Sequence, residues 1–296
     1  MIKSIYSYDD IEMHLRYHAY ITNEFLEDVM TAKERQMVEL LRELRQTHGL
    51  IGVKGEFEAE GASLVELYAL REITAKADLK MVIKIGGCEA ITDICLARTI
   101  NADSIVAPMI ESPFAAQKFI SAMANVFGTD EAERPDALIN IETMDGVRNL
   151  DAILSLDGVR GLSGLDIGRV DMACSYGLRP EDSNSQQIFD ACVTICERWN
   201  AVHSGKPCTI GGFLTEETIR FLEALSRQSP IQSESKKAIF CNDIIRSGGL
   251  KAAFLKAIEF ETLWYQSCIQ RYDKLCTENW GYFKNLPAYA AKLRGE

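Results

Sequence analysis

The sequence predicts an α/β protein: a (β/α)8 TIM barrel with a helical N-terminal extension and a long C-terminal helix. Three observations predict it. Short apolar runs alternate with helical patterns from about residue 50 to about residue 249. No change in composition separates one such unit from the next. Several runs end in a carboxylate or a glycine pair, as strands at a barrel mouth do. Steady alternation of this kind means a parallel sheet, and about seven units favour closure over an open doubly wound sheet.

The elements follow in order. Asp9 to about Glu27 and Thr31 to about His48 space their apolar residues as helices do. Leu50-Ile51-Gly52-Val53 leads into a strand through Glu58, and Ser63 caps a helix running to Thr74. Lys80–Ile85 is a strand and Glu89–Thr99 a helix; Asp103–Met109 is a strand and a helix starts at Pro113. Ala137–Glu142 is a strand followed by a short helix, Gly146–Leu154; Val159–Ile167 is a strand followed by a helix, Ser185–Trp199. Cys208–Ile210 and Ala238–Cys241 are short strands with a helix between them, Thr215–Leu225. The eighth strand is expected near Ile2–Tyr6, and Phe127–Pro135 and Gln228–Ser235 read as loops. After Gly249 one helical pattern runs to about Thr277, with Phe260, Leu263, Trp264 and Tyr265 as an apolar stretch. It is suited to covering the barrel floor or to packing on a second subunit, so a homo-oligomer is expected.

At 296 residues the chain could form one large barrel or two ordinary domains. The unbroken alternation favours a single barrel domain, 1–296, with 1–49 and 250–296 as its helical ends. A hydrophobic fraction of 47% and a charged fraction of 25% are those of a soluble globule with a substantial core. The formal charge of −11 argues against nucleic acid, whose phosphates require clustered Lys and Arg. The 9 cysteines form no CxxC pair and several lie in apolar periodic segments, which suits a reducing compartment. No apolar run has the length of a signal core or a membrane span, so the expected location is cytoplasmic, with no membrane partner.

Glu142 ends the run Asn140-Ile141-Glu142-Thr143, and Asp171 ends Asp166-Ile167-Gly168-Arg169-Val170-Asp171. Two carboxylates delivered by neighbouring strand ends could hold a hard divalent cation, Mg²⁺ or Mn²⁺. They could equally be helix caps or salt-bridge partners. Lys54, Glu56 and Glu58 stand at i, i+2 and i+4, so a regular strand turns all three to one face. There they supply either a candidate base or an internal ion-pair network.

The wording around these acids adds more. Ile141-Glu142-Thr143, then Gly158-Val159-Arg160-Gly161, then Ile167-Gly168-Arg169-Val170-Asp171-Met172 resembles the HpcH/HpaI aldolase and citrate lyase β-subunit superfamily. Upstream, Ala107-Pro108-Met109-Ile110-Glu111 is similar to that family's P-M-V-(D/E) strand end. The resemblance covers roughly Leu50 to Leu178. It implies a barrel in which Glu142 and Asp171 ligate Mg²⁺ or Mn²⁺ and the metal chelates a pyruvate-like 2-oxo acid. Lys84 falls where the family carries an enolate-neutralising arginine. The family's histidine base is missing, since Gly55-Glu56-Phe57-Glu58 replaces a G-E-H pattern. Glu56 or Glu58 is therefore expected to move protons. Lys54 or Lys84 as a Schiff-base nucleophile is a different mechanism.

Further candidates are weaker. The pairs Gly86-Gly87, Gly211-Gly212 and Gly248-Gly249 follow strands and could bind an anion or simply turn tightly. Arg169, where the family has proline, could bind an acidic substrate or pair with a carboxylate. His14 and His18, one helical turn apart, lack a third metal ligand, and Cys88 and Cys174 have no histidine partner. The expected activity is a metal-dependent carbon–carbon lyase or aldolase acting through the enolate of a 2-oxo acid with an aldehyde partner. The alternatives are a citrate lyase-like or acyl-CoA-ester lyase, and a barrel that has lost catalysis and serves in binding or assembly.

Overall fold

The computed structural model describes residues 30–128 and 134–294, with side chains through Tyr272. The expected helix at 9–27, the strand at 2–6 and the His14/His18 pair lie outside the described residues. Eight strands close into a barrel in simple sequence order. They are β1 (Leu50–Glu56), β2 (Lys80–Lys84), β3 (Ser104–Ala107), β4 (Asp136–Asn140), β5 (Gly164–Gly168), β6 (Cys208–Gly211), β7 (Gln232–Glu234) and β8 (Ala238–Phe240).

The first seven strands run parallel, and β8 pairs antiparallel with both β7 and β1. The strand that completes the barrel is β7, Gln232–Glu234, which lies inside the segment expected to be a loop. The expected 238–241 strand is present, but it forms a hairpin with β7 and runs back down the barrel. Polar Gln, Ser and Glu give β7 no strand propensity, and its pairing with β6 and β8 overrides that.

The helices in chain order are α1 (Ala32–Thr47), α2 (Leu64–Lys76), α3 (Ile91–Thr99), α4 (Pro113–Phe127), α5 (Met144–Arg148), α6 (Leu150–Leu154), α7 (Arg169–Ser175), α8 (Gln186–Val202), α9 (Glu216–Gln228), α10 (Asn242–Arg246) and α11 (Leu250–Arg294). Capping boxes start α1 at Thr31–Glu34 and α2 at Ser63–Glu66, each satisfying two orphan backbone donors. The expected strand at 159–167 begins only at Gly164, because Asp157–Gly161 is a turn of 3₁₀-helix. Asp171 consequently sits in the first turn of α7, directly after β5, and not at a strand end.

The main core lies between sheet and helices, where Ile83, Ile105, Ile139, Leu165 and Ile210 face Leu70, Phe119, Ile153, Trp199 and Leu222, among others. Inside the barrel Val82, Val106 and Ile239, with Ile51 and Leu138 against them, make a small apolar plug. Towards the mouth the interior turns polar: Lys54, Lys84, Asn140, Asp166 and Glu142 are all buried.

Because β8 returns to the floor, α11 climbs the outside of the barrel beside α1 and delivers Glu261, Trp264 and Tyr265 at the level of the mouth. Glu261 accepts from the Ser235 hydroxyl (2.5 Å) and the Lys237 N–H (2.8 Å) in the β7–β8 turn. Lys237, fully buried, meets Glu60 at 2.7 Å and lies 5.5 Å from the Trp264 and Tyr265 rings, while the Tyr265 hydroxyl donates to Glu60 at 2.6 Å. The described part of α11 thus clamps the rim of the mouth, where a floor cover was one expectation.

Candidate active site

A cavity of about 540 Å³ opens at the mouth, lined by residues of β1, β2, β4, β5, β6 and β7 and the start of α7. Of the residues singled out from sequence, Lys54, Glu56, Glu58, Lys84, Glu142, Arg169, Asp171, Gly211 and Gly212 line it. Gly86 and Gly87 do not; the Gly86 N–H is taken by Asp93 at 2.7 Å. Gly248-Gly249 lies after α10, at the floor end, and Cys88 and Cys174 are likewise outside the lining. His203 stacks on Trp199 and bonds the Val159 carbonyl, a core role.

Glu142 is the most enclosed acid of the site, 1% exposed. Its Oε1 accepts the Met109 N–H at 3.0 Å, and its Oε2 accepts from Asn140 Nδ2 at 2.6 Å and Lys84 Nζ at 3.2 Å. Met109 adopts a left-handed backbone (φ 51°), an uncommon conformation for a non-glycine residue, immediately beside the carboxylate that its N–H serves. Burial pushes the Glu142 carboxyl up to about 7, and the charge of Asp171 adds to the rise against Lys84 and the Met109 N–H. Asp171 is exposed and has no hydrogen bond or ion pair among the described residues.

Two lysines stand between acids. Lys84 Nζ lies 2.8 Å from Glu58 and 3.2 Å from Glu142. Lys54 Nζ lies 2.5 Å from Glu234 and 3.2 Å from Glu56. Burial disfavours both charges, but the paired carboxylates outweigh it and raise both pKa values. Burial likewise opposes the charge of Glu56, yet Lys54 and Lys236 pull its carboxyl down to about 2. Functional and structural readings of Lys54, Glu56 and Glu58 therefore meet: the three form an ion-pair network, and that network is a wall of the cavity.

Arg169 lines the cavity but pairs with no carboxylate among the described residues. Its Nε donates to the Gly211 carbonyl at 2.9 Å, Nη2 to the Phe213 carbonyl at 3.3 Å and Nη1 to Asn184. The guanidinium lies 4.9 Å from the Phe221 ring centroid. Burial lowers it to about 10, so it remains charged near neutrality, spent on holding the loop after β6. Gly212 requires glycine here: its φ is 141°, and a Cβ would meet Arg169 Nη2 at 2.8 Å.

The lining also includes residues not singled out from sequence: Asn140, Gly168, Glu234, Ser235, Lys236 and Glu261. Glu234 belongs to a polar stretch that reads as surface, and only barrel closure turns it inward. The in-register pairing Asn140↔Asp166↔Thr209 across β4, β5 and β6 forms a buried polar tier below the mouth. Burial, reinforced by the charge of Glu234, pushes Asp166 up to about 7.

Glu142 and Asp171 offer two hard oxygen donors, suited to Mg²⁺ or Mn²⁺. The donor set fits such an ion on two grounds: Glu142 is short of positive charge, and Lys84 has its closer bond to Glu58, so it keeps an anchor if Glu142 turns to a cation. Among the described residues no group of three or more His, Cys, Asp or Glu side chains converges as a closed metal cage. A cation here would therefore keep positions for water and substrate.

No protein-family model and no curated protein sequence matches the chain. Solved structures do. A HpcH/HpaI aldolase/citrate lyase family protein from Burkholderia cenocepacia J2315 superposes with a TM-score of 0.53 at 16% identity, over 76% of this chain and 90% of that one. The citrate synthase SbnG gives 0.52 at 18% identity, over 74% and 89%. A HpcH/HpaI aldolase from Desulfitobacterium hafniense DCB-2 gives 0.52 at 12% identity, over 75% and 87%. At these identities the likeness establishes the shared fold alone, a closed eight-stranded α/β barrel.

Proposed function

We propose that the chain is a divalent-metal-dependent carbon–carbon lyase of the aldolase type, acting on a pyruvate-like 2-oxo acid through its enolate with an aldehyde as partner. The observation that carries this reading is the pairing of Glu142 with Lys84 at a cavity that Asp171 also lines. Enolate formation places negative charge on an oxygen beside a carboxylate. A site for it needs positive charge fixed in a dry pocket.

Glu142 and Asp171 would hold Mg²⁺ or Mn²⁺, and the bound cation supplies a Lewis acid for the enolate oxygen. Lys84, held charged by Glu58 and Glu142, compensates negative charge developing beside it. As an ammonium it lacks the planar fork of arginine and acts as a point charge. Glu234 and Glu56 likewise keep Lys54 protonated, and a protonated amine is no nucleophile, which disfavours an imine route at either lysine. Arg169 secures the loop after β6 that forms one wall of the cavity. Acids outnumber bases in the lining, with Glu56, Glu58, Glu142, Asp171, Glu234 and Glu261 against Lys54, Lys84, Arg169 and Lys236, and that surplus suits a divalent cation.

The test is cleavage of a 4-hydroxy-2-oxo acid, followed as released pyruvate with Mg²⁺ and then with excess EDTA. Release that EDTA abolishes and Mg²⁺ restores is the expected result, together with its loss in Glu142→Ala. Cleavage that persists in EDTA, or in Glu142→Ala, contradicts the reading.

A further inference from the structure

Enolate chemistry needs a group that takes and returns a proton, and the lyase reading leaves that post open. Glu56 is held too strongly ionised to fill it. Glu234 is better placed. Its side chain is 11% exposed and lines the mouth cavity. Its carboxylate occupies space that Gly211 leaves free: a Cβ on Gly211 would meet Glu234 Oε1 at 2.4 Å. Oε1 accepts from Lys54, while Oε2 is buried with no hydrogen-bond partner among the described residues.

Asp166 lies behind it, on β5, outside the mouth lining. Its Oδ1 is also buried without a partner. Two buried carboxylate oxygens without partners, on groups near enough for one charge to act on the other, are costly unless one of the groups holds a proton. The groups that act on Asp166 are Lys54 from β1, Lys84 from β2, Thr209 from β6 and Glu234 from β7. Burial and the Glu234 charge favour its neutral form, and the other three oppose it.

We propose that Glu234 is the acid–base group of this site and that Asp166, protonated behind it, is its positioning residue. The Asp166 O–H supplies the hydrogen bond that the bare oxygens lack and orients Glu234 as the base. In cleavage, Glu234 takes the proton of the substrate's 4-hydroxyl. The C3–C4 bond breaks, its electron pair goes to C3 as the enolate, and the aldehyde leaves. Glu234 then returns the proton to C3, giving the methyl group of the 2-oxo acid, with no net change in protons. The inference rests on the lyase reading.

The partial reaction that tests it needs no aldehyde: exchange of pyruvate methyl protons for deuterium in D₂O with Mg²⁺, read by proton NMR. Glu234→Gln should slow exchange by about 100-fold or more, while binding of Mn²⁺ with oxalate stays within about threefold. Glu234→Asp, which keeps the acid on a shorter stem, should recover part of the rate and guards against a folding defect in the first variant. Asp166 has a separate readout. With its folded pKa raised above the unfolded value of about 4, the folded chain binds the extra proton, so stability falls as pH rises from about 4 to about 7. Glu142, also raised to about 7, contributes a decline of the same sign, so Asp166→Asn should reduce the decline in its urea midpoint without abolishing it, and shift the pH profile of exchange.

Exchange by Glu234→Gln within about threefold of the parent overturns the assignment and leaves the lyase reading intact. An unchanged pH dependence of the urea midpoint in Asp166→Asn overturns the role of Asp166. No exchange by the parent chain overturns both this inference and the reading beneath it.

Discussion

The Glu142 carboxylate fills the space that a side chain on Gly168 would need: a Cβ there would lie 2.4 Å from Oε2. The two residues stand on neighbouring elements, Glu142 just past the end of β4 and Gly168 at the end of β5. Gly168 has an ordinary backbone conformation (φ −87°), so its contribution here is room and not flexibility. The pairing of Gly211 with Glu234 repeats this arrangement two strands on. Glu142 and Glu234, two of the acids that line the mouth, are each seated against a glycine.

Gly168→Ala is therefore expected to push the Glu142 carboxylate off its three donors without unfolding the barrel. Overpacking of this kind costs about 1–3 kcal/mol, measurable as a lower urea midpoint. Disturbing a metal ligand's orientation typically costs about 10–100-fold in affinity, and Mn²⁺ titration should show a loss of that size.

Arg169→Ala leaves the Gly211 and Phe213 carbonyls and the Asn184 amide without their shared partner. The Phe213 carbonyl and Asn184 Oδ1 keep the Thr218 hydroxyl, so the Gly211 carbonyl is the group that loses its side-chain donor, and a loss of about 1–3 kcal/mol is expected in chemical denaturation. Hydrogen exchange should accelerate across the 211–214 loop before the rest of the barrel. A loss of activity with unchanged stability and exchange would instead make Arg169 a substrate ligand.

Metal affinity should depend on pH through Glu142. Its raised pKa of about 7 means that the empty site holds a proton below neutrality, and a cation must displace it. Binding should weaken as pH falls, by roughly tenfold between pH 8 and pH 6. Calorimetry in buffers of different ionisation enthalpy should show proton release at pH 6 and little at pH 8.

Much of the barrel was legible because strands buried on both faces read as continuous apolar runs. Met81-Val82-Ile83, Ser104-Ile105-Val106-Ala107 and Leu138-Ile139 are of this kind. The β7–β8 hairpin was not. Gln232-Ser233-Glu234 carries no β-branched or apolar residue, and the direction of a three-residue strand is not written in its composition. Both follow from closure of the sheet, a long-range effect. The acids Glu142 and Asp171 and the lysine Lys84 stood out as polar residues following apolar runs. Asn140, Asp166 and Glu234 did not, because a polar residue at every second position of a strand reads as solvent-facing. Here the barrel interior itself is polar, so the alternation points the same residues inward. The role of Arg169 was hidden for a related reason: nothing in its local sequence reveals two carbonyls more than 40 positions away.

The central claim is that Glu142 and Asp171 share one cation at the mouth. The most direct measurement is the binding of Mn²⁺ in the presence of oxalate, followed by electron paramagnetic resonance on the parent chain, Glu142→Gln and Asp171→Asn. One tightly bound Mn²⁺ per chain, with a loss of about 100-fold or more in each variant, is the predicted result. Stoichiometric binding that survives in either variant, or no specific binding in the parent, would contradict it.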